Sequence, residues 1–200
     1  MSHDFFKHKA GSYEQENHRV ANVENIARSV LNSIEFNASM RIMDFGSGTG
    51  LLLEKIAPSV HTMSAVDISR SMNEQLERKR SDLSCELEII ELDLSQSILG
   101  RKFDGIISSM TIHHIEDIES IFGKFYSMLN EGGFIAIADL DVEDGSFHTE
   151  DTGVFHFGFD RAEMKKIAER AGFKQVSITT ASTVHKSQGD YSVFLLTAQK

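Results

Sequence analysis

Apolar residues along this chain change period several times, and each change marks an element. Between residues 16 and 35, Val20, Val23, Ile26, Ala27, Val30, Leu31 and Ile34 recur at three- and four-residue steps, the spacing of one helix face. "MRIMDF" (40–45) gathers its apolar residues into a short run, which predicts a strand. Residues 50–57 return to helical spacing, closed near the single proline, Pro58. The pattern then gives a strand over 61–68, a helix over 69–80 with Ser69 placed to cap it, and strands over 85–93 and 103–110. Residues 116–129 carry Ile118, Ile121, Phe122, Phe125 and Leu129 on one helical face, and "NEGG" (130–133) supplies a turn. "FIAIADL" (134–140) is an apolar run of strand length. After a polar loop over 141–159, Asp160 caps a helix that runs to about 171 and ends at Gly172. Two last strands, near 173–181 and 191–198, can pair antiparallel across a turn around Gly189-Asp190.

Strand and helix alternating at this pace predict an α/β domain, a doubly wound parallel sheet with helices on both faces. No repeat, low-complexity block or proline-rich linker divides the 200 residues, which suits one domain over 1–200 whose first 38 residues form a helical cap segment. Ligands in such sheets sit beyond the carboxyl ends of the strands, where strand order reverses. That selects the loops after Phe45, Asp67, Asp93, Met110 and Leu140.

Composition removes several classes of partner. The net charge is −10, and the one compact basic run, Arg78-Lys79-Arg80, falls at a helix end, so nucleic acid is a disfavoured substrate. No stretch approaches the roughly 20 apolar residues of a membrane span. "MSHDFFKHKAGSYEQENHR" lacks the apolar centre of a secretory signal, and Cys85 is the only cysteine, so a cytoplasmic location is expected.

Candidate chemistry starts in "IMDFGSGTGLLLEKIA" (42–57). A Walker A loop needs Gly-Lys-Ser/Thr, but Leu51 follows Gly50 and the next lysine is Lys55. A dinucleotide fingerprint counted from Gly46 puts the bulky Leu51 where Gly or Ala is needed. Asp44, two residues before the first glycine, would repel a pyrophosphate and suits a cation. Asp67 ends the second strand, where a carboxylate can accept from both hydroxyls of a ribose. Asp93 ends the third, within reach of an adenine amino group.

"MDFGSGTG", "AVDIS", "ELDLS", "FDGIISSMTIHHIED" and "LNEGGFIAIAD", in this order and spacing, resemble the motifs of class I S-adenosylmethionine-dependent methyltransferases from Ile42 to the C-terminus. The resemblance implies a seven-stranded sheet of order 3-2-1-4-5-7-6 with an antiparallel last-hairpin strand. It implies S-adenosyl-L-methionine as cofactor. Gly46, Ser47, Gly48, Thr49 and Gly50 would let backbone approach its methionine part, with Asp44 near the ammonium group. Asp67 and Ile68 would hold the ribose and Asp93 with Leu94 the adenine, with Met72, Ser109 and Tyr13 completing the set. The implied activity is methyl transfer to a small-molecule acceptor. A protein or RNA acceptor, or cofactor binding without transfer, is the alternative. A nicotinamide dehydrogenase is a weaker rival, given Leu51 and the antiparallel end.

Methyl transfer from a sulfonium is an in-line displacement that needs alignment, water exclusion and, for a protonated acceptor, a base. His113 and His114 follow strand four, beside the expected methyl group; either can act as base, position the acceptor or pack under the next helix, and His114 is preferred. The segment 138–161 holds Asp139, Asp141, Glu143, Asp144, His148, Glu150, Asp151 and His156, with no Lys or Arg before Arg161. A loop of this length is more often functional than idle. It reads as an acceptor lid, with Phe147, Phe155, Phe157 and Phe159 closing over an apolar substrate and an acidic surface favouring a neutral or cationic acceptor. Asp139, His148, His156 and Phe157, with Arg19, form the expected acceptor-facing set. A solvated loop is the plain alternative. A divalent metal site is a third reading, but the spacing matches no defined motif and no metal is assigned. Phe5 and Phe6 either line the acceptor pocket or staple the N-terminal segment to the core.

Overall fold

A computed structural model describes residues 10–148 and 152–200. The strands are β1 (Arg41–Phe45), β2 (Thr62–Asp67), β3 (Glu86–Glu91), β4 (Phe103–Ser109), β5 (Leu129–Leu140), β6 (Lys174–Lys186) and β7 (Gly189–Gln199). The helices are α1 (Asn17–Ser33), α2 (Leu51–Ile56), α3 (Arg70–Arg78), α4 (Ile118–Met128) and α5 (Arg161–Arg170). The strands form one sheet in the order β3-β2-β1-β4-β5-β7-β6. β1 to β5 pair in parallel, and β7 runs antiparallel to both β5 and β6. This is the doubly wound α/β order that the sequence motifs imply.

Both faces of the sheet are buried, which is why its central strands read as continuous apolar runs. Side chains alternate along each strand: Ile42 joins Leu53, Ile56 and Ile26 on one face, while Met43 joins Phe122, Phe125 and Phe194 on the other. Three helices begin on a side-chain cap. Ser69 Oγ accepts from Met72 N at 3.3 Å, Asp117 from Ser120 N at 2.9 Å and Asp160 from Glu163 N at 2.9 Å.

Two boundaries differ from the sequence expectation. β5 begins at Leu129, so "NEGG" lies inside a strand. Leu129 pairs with Phe103 and Phe134 with Gly105, which pushes residues 130–133 out of the ladder, anchored by Asn130 Nδ2 donating to Asp104 Oδ1 at 2.7 Å. The last hairpin turns at Ser187-Gln188, not at Gly189-Asp190. The ladder continues to a Lys186–Gly189 pair because His185 and Asp190 meet across it, Nδ1 to Oδ1 at 2.7 Å. No helix among the described residues is long and apolar enough to cross a membrane.

Candidate functional site

A cavity of about 780 Å³ opens beyond the carboxyl ends of β1 to β4, at the reversal of strand order. Its floor is the turn after β1. Gly46 has φ +69°, and a Cβ there would lie 2.1 Å from the Thr111 side chain, so only glycine fits. At Gly48 (φ +54°) a Cβ would meet nothing within 4 Å, because that residue faces the cavity. Asp67 fastens this turn: Oδ2 accepts from Gly48 N at 2.8 Å and Oδ1 from Ser69 N at 2.7 Å. A carboxylate oxygen takes more than one donor, so both can still accept a hydroxyl.

Asp44 lies deeper, 2% exposed, with Oδ2 lacking a partner. Burial, and then the charge of Asp67, push its carboxyl up to about 8. Ser47, Thr49, Ser109 and Asn22 also turn a buried, unpaired polar atom to this cavity, as do His148 and Thr152 further along it. Such a concentration of unmet hydrogen-bonding groups marks a site built for a polar ligand. Ile68 (51% exposed), Met72, Leu94 and the exposed Asp93 line the end towards β3, an apolar shelf with an acid at its rim.

The other end is made by the turn after β4, the loop after β5 and the N-terminal segment. Met110 takes a left-handed backbone (φ +55°) before a 3₁₀ turn, Ile112–His114, delivers His113 and His114 to the cavity wall. His113 Nδ1 meets Asp139 Oδ1 at 2.7 Å, and Asp139 also accepts from Leu140 N and His113 N. Burial alone would raise the Asp139 carboxyl; the His113 ring and the backbone donors outweigh it and hold it below its ordinary value. The carboxylate therefore fixes His113 with its proton on Nδ1. His114 Nδ1 donates to the Gly153 carbonyl at 3.2 Å. Burial, then His113, lowers His114 to about 4, and burial with both neighbouring histidines lowers His148 to about 3.

Several expected site residues lie elsewhere. Gly50 caps α2, and a Cβ there would sit 2.5 Å from Leu76 Cδ1; its task is helix packing. Asp139 is fully buried behind His113 and does not line the cavity. His156 Nε2 donates to the Ile115 carbonyl at 2.9 Å, tying the loop to the turn after β4. Phe157 is 56% exposed outside the cavity, and Phe159 is buried against Phe194. A loop has no period from which side-chain direction can be read, so His156, Phe157 and Phe159 were beyond pattern analysis. Phe5, Phe6, Glu150 and Asp151 lie outside the described residues.

The acidic lid is also corrected. Asp141 makes a two-pronged pair with Arg161, both contacts at 2.6 Å, and Glu143 accepts from Gly145 N and Phe147 N. These acids fold the loop itself, and Asp144 likewise accepts from Ser146 N. The loop presents Phe147, His148, Thr152, Gly153 and Phe155 to the cavity. Opposite stand Tyr13, Arg19 (4.4 Å over the Tyr13 ring and paired with Glu16 at 2.8 Å), His18 and Lys186, so the described residues put two cationic side chains at this end, one of them already paired. Asn22, His18, Thr152 and Lys186 escaped the sequence reading. A polar Asn22 on the apolar stripe of α1 was the one available signal; Lys186 arrives from the far hairpin and gave none.

Known proteins match this arrangement. A family model described as a methyltransferase domain matches residues 15–178. An uncharacterized methyltransferase of Schizosaccharomyces pombe is 25% identical over 92% of this chain and 68% of its own length. The chain spans 56–66% of the length of several similar bacillus proteins. Among solved structures, phosphoethanolamine N-methyltransferase 2 of Haemonchus contortus, in complex with phosphomonomethylethanolamine and S-adenosylhomocysteine, has a TM-score of 0.73 at 17% identity, covering 98% of this chain and 59% of that one. A [4+2]-cyclase has a TM-score of 0.72 at 14% identity, covering 88% and 79%.

Proposed function

The chain belongs to the methyltransferase domain family, and from that premise we propose that it moves the methyl group of S-adenosyl-L-methionine to a small-molecule acceptor. A related fold in a cyclase shows that fold alone would not carry this reading. Asp44 carries it: a buried, partnerless carboxyl beside a glycine turn suits a ligand with positive charge and no phosphate. S-adenosylmethionine brings both a sulfonium and an ammonium group, and supplies a methyl group already activated for displacement.

The residues fit the ligand from end to end. Asp44 would receive the ammonium group, with Ser47, Thr49 and the Gly46–Gly48 backbone along the methionine part. Asp67 would accept from the ribose hydroxyls, and Ile68, Met72 and Leu94 would sandwich the adenine, with Asp93 at its edge. Ser109 lies between the two halves of the cavity, and Tyr13 covers the opening. The acceptor then meets Phe147, Phe155 and the three histidines, with Arg19 and Lys186 favouring a neutral or anionic molecule. A wall that includes Phe147, His148, Thr152, Gly153 and Phe155 favours an acceptor that fits inside over a protein or an RNA. His113, with its proton held on Nδ1, offers Nε2 to an acceptor proton; His114, lowered to about 4, is a weak base at neutral pH. The lone Cys85 agrees with a reducing, cytoplasmic setting.

Calorimetric titration with S-adenosylmethionine, S-adenosylhomocysteine and NAD tests this. The first two are expected to bind with Kd of roughly 1–100 μM, and NAD not at all. Binding of NAD alone removes the reading. Binding without transfer of a labelled methyl to any of a panel of small thiols, phenols and amines would favour a non-catalytic binder.

A further inference from the structure

His113 and His114 leave the turn after β4, and His148 comes from the loop after β5. Each offers one ring nitrogen, and the three atoms lie within 4.8 Å of one another. A point no more than about 2.8 Å from all three therefore exists, and each nitrogen needs to close by only about 0.7 Å to reach a zinc–imidazole bond length. The surroundings are those of a ligand set. The bonds of Nδ1 to Asp139 in His113, and to the Gly153 carbonyl in His114, make Nε2 the ligand-capable nitrogen of both rings. A histidine that gives its other N–H to a carboxylate or a carbonyl is the usual outer support of a bound metal. His148 Nδ1 is buried with no partner, a cost that a ligand on that ring would offset. Ring centroids lie 4.3 Å apart for His113–His114 and 5.0 Å for His113–His148, and among the described residues the candidate ligand set is these three imidazoles.

We propose that His113, His114 and His148 bind one divalent transition-metal ion of the zinc type, with Asp139 as the carboxylate behind His113 and a fourth position open to the cavity. Three nitrogens and no oxygen select zinc, cobalt, nickel or copper over magnesium and calcium. Resting on the methyltransferase reading, with the ion and not His113 Nε2 then activating the acceptor, the open position takes a small thiol or hydroxyl acceptor. The ion binds it as thiolate or alkoxide, and its proton leaves to solvent. The bond between methyl carbon and sulfonium sulfur then breaks while the carbon bonds to the acceptor atom. The broken bond's electron pair returns to the sulfur, leaving S-adenosylhomocysteine and a neutral thioether or ether.

The test uses the full chain without an affinity tag, stripped by a chelator and titrated with Zn²⁺ and with Co²⁺. One ion per chain is expected, with the intense visible absorption of four-coordinate Co²⁺. His148→Ala is expected to abolish the absorption, and Asp139→Asn to weaken Zn²⁺ binding by about 10- to 100-fold. His148→Asn replaces the alanine variant should that one not fold. Zn²⁺ binding weaker than about 100 μM, or affinity unchanged in the His148 variant, overturns the site. Titrating the same samples with S-adenosylmethionine separates the two readings. Zinc binding without it keeps the metal site and removes methyl transfer, and the converse result removes only the metal site.

Discussion

Asp44 shows how one residue trades folding stability for binding. Its folded pKa of about 8 lies above the ordinary 3.8, so the stability linked to its protonated form is complete below the unfolded value and is lost as pH rises to about 8. At about 1.4 kcal/mol per pH unit, the loss by pH 7 is at most about 4 kcal/mol. Asp44→Asn removes that penalty while keeping the shape. Paired urea denaturation curves are expected to show the variant more stable than the parent at about pH 8, with the gain fading towards about pH 4. S-adenosylmethionine affinity should move the other way, weaker in the variant and rising with pH in the parent. Curves that superimpose at both pH values would mean that the carboxyl titrates alike in the folded and unfolded chain, with no burial penalty to remove. The acid was legible in the sequence because a carboxylate before a glycine turn is at odds with phosphate. Its missing partner was not, since that depends on every segment lining the cavity.

Among the elements, β4 and β5 approach each other closely at Gly105. Gly105 lies beside Phe134 in the ladder, and a Cβ on it would fall 2.2 Å from the Phe134 ring. That ring also meets Phe36 edge-on, with centroids 5.6 Å apart, so it has little room to yield. Gly105→Ala is expected to cost about 1–3 kcal/mol by overpacking, read as a fall in the urea midpoint. In a Phe134→Leu background the same change should cost markedly less, and strict additivity of the two substitutions would contradict the contact. Elements of this kind were readable from periodicity alone, and their limits moved by only a few residues. The exceptions, residues 130–133 and 187–190, carry real turn chemistry that sheet pairing overrode. Sheet order rested on the motif resemblance, because period says nothing of which strands are neighbours. The direction of side chains in 141–159 was out of reach for the reason that governs any aperiodic segment.

At the scale of the whole molecule, the cavity has a door and a hinge of different make. The door we propose is the 3₁₀ turn Ala10–Gln15, whose Tyr13 lines the cavity. Lys79, the residue that closes α3, holds it, pairing with Glu14 and, at 2.6 Å, with Glu54. These ions are a quarter to a third exposed, so the link is worth about 1 kcal/mol or less and salt weakens it. Lys79→Met is expected to speed S-adenosylhomocysteine release up to about fivefold in stopped-flow while leaving the denaturation midpoint nearly unchanged; high salt should speed the parent and barely affect the variant. An equal salt response in both would detach the ion pair from the door. The loop after β5 is joined to the body differently. Asp141 and Phe159 pair side by side, and Phe159 N donates to the Leu140 carbonyl at 2.9 Å, so the segment leaves and rejoins the sheet at one spot. A stretch whose two ends touch can be lengthened, shortened or exchanged at small entropic cost. Heredity can therefore edit this fold as a cassette: a lineage that swaps residues 142–158 acquires a new clientele while Asp44, Asp67 and the glycine turn pass on unaltered.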